Sequence, residues 1–276
     1  MTARVMIRGA RLALRETGEG APMLLLHGGP GVPDYLDSLA AMLPGRVFRF
    51  EQRGCGASED TENNDIAALL HDMEALREHW GVDRWVVAGH SWGAALALLY
   101  ALDHPERVSR LLYLNGMGIE MGWEEEHAAE VRRRLPPDER EKIESLRVER
   151  DAAKDVGERN RLAGALFQRI IALDSTDPRL PPFGERGVNL KVNERLHAEW
   201  AALASGGTLA DRAAQCSVPT LVLQSADDTR PNWPARNLAD RLQDARFVLL
   251  DRARHFSWLD QPDAFTAEVD AFLTSA

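Results

Sequence analysis

Cysteine is scarce in this chain: 2 of 276 residues, Cys55 and Cys216. That excludes a disulfide framework as the source of stability. The two do not fall in a metal-type pair either, and both read as reduced thiols of a cytoplasmic protein. Basic residues are outnumbered, with 33 Lys and Arg against 43 Asp and Glu for a formal net charge of −10. Such a chain repels phosphate backbones, so nucleic acid is not expected as a partner. Long apolar runs are missing as well. In MTARVMIRGARLALRETG charges interrupt every apolar stretch, so no signal-peptide core is expected. The longest run, VVAGHSWGAALALLYAL at 86–102, is broken by His90 and Ser91 and carries glycines. It reads as a strand followed by a helix and not as a membrane span. There is no basic block, low-complexity tract or short-period repeat.

What is present is ordinary for a globular protein: 45% hydrophobic and 28% charged residues. The length suffices for one sizeable core, or a core with an inserted lid. A hairpin is expected from residues 4–8 and 11–15. Strand-length apolar runs follow in MLLLHGG (23–29), RVFRFEQRG (46–54), RWVVAGH (84–90), SRLLYLNG (109–116), TLVLQSADD (220–228) and RFVLLD (246–251). Residues 65–80 place apolar side chains at three- and four-residue spacing, an amphipathic helix ended by Gly81. Strands alternating with helices predict an α/β fold with a mostly parallel central sheet flanked by helices. The alternation fails from 118 to 212, where EEEHAAEVRRRLPPDEREKIESLRVERDAAK, LAGALFQRIIAL and LHAEWAALA read as helices. The expected organisation is a core of 1–117 and 213–276 with a helical cap insertion at 118–212.

Gly89-His90-Ser91-Trp92-Gly93 fits G-x-S-x-G between a strand and a helix, the context of a nucleophile elbow. The sharp turn brings neighbouring backbone too close for side chains at 89 and 93, and Ser91 then stands at the carboxyl end of the sheet. It also lies at a helix N-terminus, which favours developing negative charge. A serine hydroxyl needs a base and a group to orient that base. Of the downstream histidines, His104 lies at a helix end, and His127 and His197 lie in the insertion. His255 alone follows a core strand, in the expected order Ser, acid, His. The acid should follow TLVLQS. Asp227 and Asp228 both qualify, with Asp228 preferred on spacing, and Asp251 and Asp260 fit less well. His27-Gly28-Gly29-Pro30-Gly31 would supply one oxyanion N–H from Gly29, the other coming from Trp92. Arg53, in the turn EQRGCGAS at 51–58, is expected to tie loops together through carbonyl oxygens. Cys55 reads as a packed residue and not a nucleophile.

HGGPG, EQRGCGAS, GHSWG and the late Asp and His together resemble the α/β-hydrolase superfamily, and within it the proline iminopeptidase group. Glu51 stands where that group has Asp, and His90 where it usually has Gly. The resemblance implies a Ser91–Asp228–His255 triad under a helical cap and release of N-terminal residues, often proline, from small peptides, with no cofactor and no metal. It also implies cap glutamates that hold the substrate's free amine, for which Glu199 and Glu194, beside Trp200, are the candidates. Two other readings stand beside the aminopeptidase. One is an esterase or other acyl hydrolase with the same triad, acting on a small-molecule ester or amide. The other is a non-catalytic binding protein that keeps the hydrolase shell.

Overall fold

The computed structural model describes residues 3–180 and 187–275. At the amino-terminal edge, β1 (Ala3–Ile7) and β2 (Ala10–Thr17) form an antiparallel hairpin turned by Arg8 and Gly9, both at positive φ. Then come β3 (Pro22–Leu26), the short α1 (Asp37–Ala40), β4 (Arg46–Phe50), α2 (Ile66–His79), β5 (Trp85–His90), α3 (Trp92–Asp103) and β6 (Val108–Leu114). Among the described residues five helices follow: α4 (Glu124–Arg134), α5 (Pro137–Ala152), α6 (Val156–Asp174), α7 (Leu190–Ser205) and α8 (Thr208–Gln215). The chain ends with β7 (Thr220–Ser225), α9 (Trp233–Arg241), β8 (Ala245–Leu250), α10 (Ser257–Asp260) and α11 (Pro262–Thr274).

The eight strands make one sheet in the order β1-β2-β4-β3-β5-β6-β7-β8, in which β2 runs antiparallel to both neighbours and the remaining pairs are parallel. Side chains alternate across it, as a pleat requires. Leu24 and Leu26 join Phe48, Val87 and α3 in the core on one face, while Met23 and Leu25 join Ala88, Leu112, Trp258 and Phe265 on the other. Helix α3 has almost no polar face because it is covered on all sides, with ten of its residues buried. The predicted helix at 65–80 is α2, capped by Asp65, whose side chain accepts from the Ala68 N–H, and followed by Gly81 at φ +66.

The region expected as a cap divides in how it packs. Val131, Leu135, Ile143 and Leu166 of α4–α6 and their connections form a small cluster of their own. Val192, Leu196 and Trp200 of α7, with Leu209 and Ala213 of α8, belong to the same apolar cluster as α3. Among the described residues, no helix is long and apolar enough to cross a membrane.

The turn at 51–58 is tied down by Arg53. One carbonyl partner exists, Arg8 O at 3.1 Å, but the dominant contact is a two-pronged ion pair with Asp72 of α2, at 2.6 and 2.7 Å. Both side chains are nearly fully buried, so removing one leaves the other charged without a partner. Arg53→Met is expected to lower unfolding free energy by about 3–5 kcal/mol. Arg53→Met/Asp72→Leu should recover much of that loss in urea titrations. Equal losses for the single and double variants would contradict the pairing.

Candidate active site

Strand β5 delivers the chain to Ser91, whose backbone sits at φ 57, ψ −120, and α3 starts at the next residue. A Cβ at Gly89 would come within 2.0 Å of Gly93 O, and one at Gly93 within 2.2 Å of Leu26 O. Glycine at both positions is therefore required. The strained serine is held by its N–H, which donates to Leu114 O at 2.9 Å.

Ser91, Gly29, His255, Tyr35, Phe167, Ile171, Arg230 and Phe256 border one cavity of about 30 Å³. His255 Nδ1 donates to Asp228 Oδ2 at 2.7 Å, which leaves Nε2 as the basic nitrogen. No hydrogen bond joins Ser91 Oγ to His255 among the described residues; the two meet as walls of the cavity. Of the acids left open by spacing, Asp228 is the one in contact. Asp227 is exposed and its N–H is tied to Ala253 O, Asp251 is exposed, and Asp260 pairs with Arg254. Among the other histidines, His104 packs on Tyr100, His127 Nδ1 donates to Thr229 O, and His197 sits on α7. The Gly29 and Trp92 N–H groups, the expected oxyanion donors, have no partner among the described residues.

A buried polar network holds the loops around Ser91. The Gly28 N–H donates to Tyr35 Oη at 3.1 Å, Tyr35 donates to His90 Nδ1 at 2.6 Å, and His90 Nε2 donates to the His255 carbonyl at 2.9 Å. Both ends being fixed donors or acceptors, only the Nε2–H tautomer of His90 satisfies the chain. Gln52 does the same on the other side. Its N–H and side-chain amide bind His27 Nε2 and His27 O, while its Oε1 accepts from Trp92 Nε1 at 3.0 Å. The tryptophan beside the serine is thus a strut, anchored to Gln52 and packed edge-on against Trp200.

Burial would raise the Asp228 pKa, but the charges of His255 and Arg230 outweigh it and hold the carboxyl far below its usual range. Burial, then proximity to His255, drives the His90 pKa well below its ordinary value, so its ring stays neutral. Cys55 is buried, and burial pushes its thiol up to about 12, the opposite of an activated nucleophile.

Neither Glu194, Glu199 nor Trp200 borders the Ser91 cavity. Glu199 accepts from the Ile66 N–H at the start of α2, capping that helix, and pairs with Arg195. Glu194 is exposed on α7, and Trp200 is buried against Trp92. Sequence reasoning missed Arg230, Asp174, Tyr35 and Gln52. Arg230 Nη1 contacts Asp228 Oδ1 and Asp174 Oδ2, both at 3.0 Å. One signal for Asp174 exists: it continues the Phe167–Ile171 stripe of α6 at helical spacing, an acid on an otherwise apolar face.

Residues 21–262 match the family model described as alpha/beta hydrolase fold. The chain is 25% identical over 274 residues to a proline iminopeptidase of Lactobacillus helveticus, spanning 94% of this chain and 91% of the relative. It superposes on a proline iminopeptidase of Mycobacterium smegmatis with a TM-score of 0.69, 21% identity, and 99% and 97% of the two chains covered. The enol-lactonase from Burkholderia xenovorans LB400 gives 0.68 and 23%, covering 99% and 100%. These structural likenesses speak to the fold.

Cys55 is expected not to react with a disulfide reagent near pH 8 in the native protein and to react once urea unfolds it; fast native labelling would contradict its burial. Burial, foremost, lowers the pKa values of both His27 and His90 below 6.5, so each favours the native state above that value and loses its contribution as pH falls below it. Unfolding free energies from urea titrations should therefore drop between about pH 7 and pH 5, by up to about 1.4 kcal/mol per pH unit for each such proton. A flat profile would show that these rings are protonated in the native state.

Proposed function

The chain belongs to the alpha/beta hydrolase fold family, and on that premise we propose that it is a serine hydrolase whose triad is Ser91, His255 and Asp228. The observation that carries this reading is the His255–Asp228 contact beside a cavity that Ser91 and Gly29 share. Ser91 Oγ attacks a carbonyl while His255 Nε2 takes its proton. The oxyanion forms against the N–H groups of Gly29 and Trp92, and each such donor is worth about a hundredfold to a thousandfold in rate. His255 then protonates the leaving group. Water repeats the sequence on the acyl-enzyme, and Asp228 keeps the imidazole in the tautomer that can accept at Nε2.

The substrate we propose is a small peptide or amide with a free amino terminus, cleaved in the manner of a proline iminopeptidase. The relative from Lactobacillus helveticus supports it. An esterase is the second reading, favoured by the apolar walls Phe167, Ile171 and Phe256, which fit a neutral acyl group equally well.

A rate comparison separates them: prolyl anilide, its N-blocked form and short p-nitrophenyl esters, with Ser91→Ala alongside. Cleavage of the free anilide and not the blocked one is the expected result. Ester turnover without anilide cleavage would move the protein to the second reading. Ser91→Ala should lose about 10⁴-fold or more in kcat. Retained turnover in that variant would overturn the triad.

A further inference from the structure

The loop that carries the acid of the triad is gripped by helices that lie between β6 and β7, outside the core strands. Asp174, the last residue of α6, is fully buried. Its Oδ1 accepts from Thr229 Oγ1 and its Oδ2 from Arg230 Nη1, each at 3.0 Å. The same Nη1 lies 3.0 Å from Asp228 Oδ1, which also accepts from the Arg230 backbone N–H. Helix α4 holds the loop from its other side. Arg134 donates to the carbonyls of Asp227 and Asp228 at 2.6 and 3.2 Å, and His127 Nδ1 donates to Thr229 O at 3.1 Å.

We infer that Asp174 and Arg230 are positioning residues of the active site: the α6 carboxylate acts through the Arg230 guanidinium to set the orientation and effective charge of Asp228. The inference rests on the triad assigned above. Two donors on Asp228 Oδ1 leave Oδ2 free for His255 and fix the plane of the carboxylate. A guanidinium alone would do this at the expense of the negative charge that stabilises an imidazolium. Asp174 neutralises the guanidinium, so the three charges sum to −1, as an unaccompanied Asp228 would give. Helix α6 also supplies Phe167 and Ile171 to the wall of the Ser91 cavity. One helix therefore shapes the acyl pocket and completes the acid.

Among the described residues, the other titratable and charged groups around His255 and Asp228 include Tyr35, which borders the same cavity, donates to His90 and is kept protonated by burial. His90 of β5 lies 4.6 Å from His255, ring to ring, and stays neutral because burial and His255 lower its pKa. His127 of α4 is lowered by burial and then by Arg230. Arg134 binds main-chain carbonyls, Asp227 is exposed, and Arg254 is paired with Asp260. Substitution at 174 or 230 therefore changes the field at His255 directly.

The test is steady-state kinetics and the pH profile of kcat/KM for Asp174→Asn, Arg230→Gln and the double variant, using the chromogenic substrate that the wild type turns over. Asp174→Asn should lower kcat by about tenfold or more, with KM changed little. Loss of a negative charge should move the acid limb of its profile to lower pH, and loss of the guanidinium in Arg230→Gln should move it to higher pH. Arg230→Gln leaves two buried carboxylates facing each other, so Asp174→Asn/Arg230→Gln should be more active than Arg230→Gln. Additive losses with unmoved acid limbs would reduce both residues to packing and overturn the inference. If Arg230→Gln does not fold, Asp174→Asn decides alone, by its acid limb and its split between kcat and KM. Turnover surviving in Ser91→Ala would instead overturn the triad itself. An inactive Ser91→Ala with unmoved limbs overturns only the role of Asp174 and Arg230.

Discussion

The site depends on one backbone contact. Helix α3 lies so close to the end of β3 that Gly93 admits no side chain against Leu26 O, and Gly89 admits none against Gly93. Nothing larger than hydrogen fits, so strand, turn and helix close up around Ser91 and force it to φ 57. That strain is of order 1–3 kcal/mol, and it persists because the buried strand before it and the buried helix after it over-determine the turn. The same approach brings the loop after β3, at Gly28, against His90 and Ser91. The placing of Ser91 at the head of α3, beside the loop after β3, is in this way a consequence of a single docking geometry.

Around this contact the structure places neutral polar side chains where a hydrophobic core would leave backbone groups unpaired. Tyr35 and His90 bridge Gly28 to the His255 carbonyl, and Gln52 bridges His27 to the Trp92 ring. Each bridge ties a loop of the site to a neighbouring strand end. His90, which departs from the glycine usual in the resembling group, has its reason here: its ring is a two-ended connector, and burial keeps it neutral in that role. Charge bears on the imidazole from the Asp228–Arg230–Asp174 cluster, while a second, largely buried cluster of Arg15, Asp34, Arg49 and Glu51 flanks Tyr35 and Gln52 in the chain.

Much of the fold was legible in the sequence because the parallel strands are buried on both faces and read as continuous apolar runs, with a glycine-bearing turn marking the serine. The elements of the site that lie in those runs, Ser91 and the strand ends leading to His255 and Asp228, could be found the same way. Spacing favoured Asp228 over Asp227 but left both open. The turn after β7 decides between them, by binding the Asp227 N–H to Ala253 and leaving the Asp228 side chain facing inward. Glu199 shows the opposite failure: a Glu-Trp pair in a plausible stretch turns out to cap α2, a contact 133 residues away in sequence. Tyr35 was illegible for a similar reason, and Asp174 carried only the signal of an acid on the apolar stripe of α6, since the partners of both come from elements that only the folded chain brings together.

The most direct measurement is the site of covalent capture. The protein would be treated with a fluorophosphonate and the adduct located by peptide mass spectrometry, before and after acid denaturation. A single adduct on Ser91, formed only by the folded protein, is the outcome that a nucleophile activated by His255 and Asp228 requires. No adduct on the native protein, or one at another side chain with Ser91 unmodified, would contradict the triad.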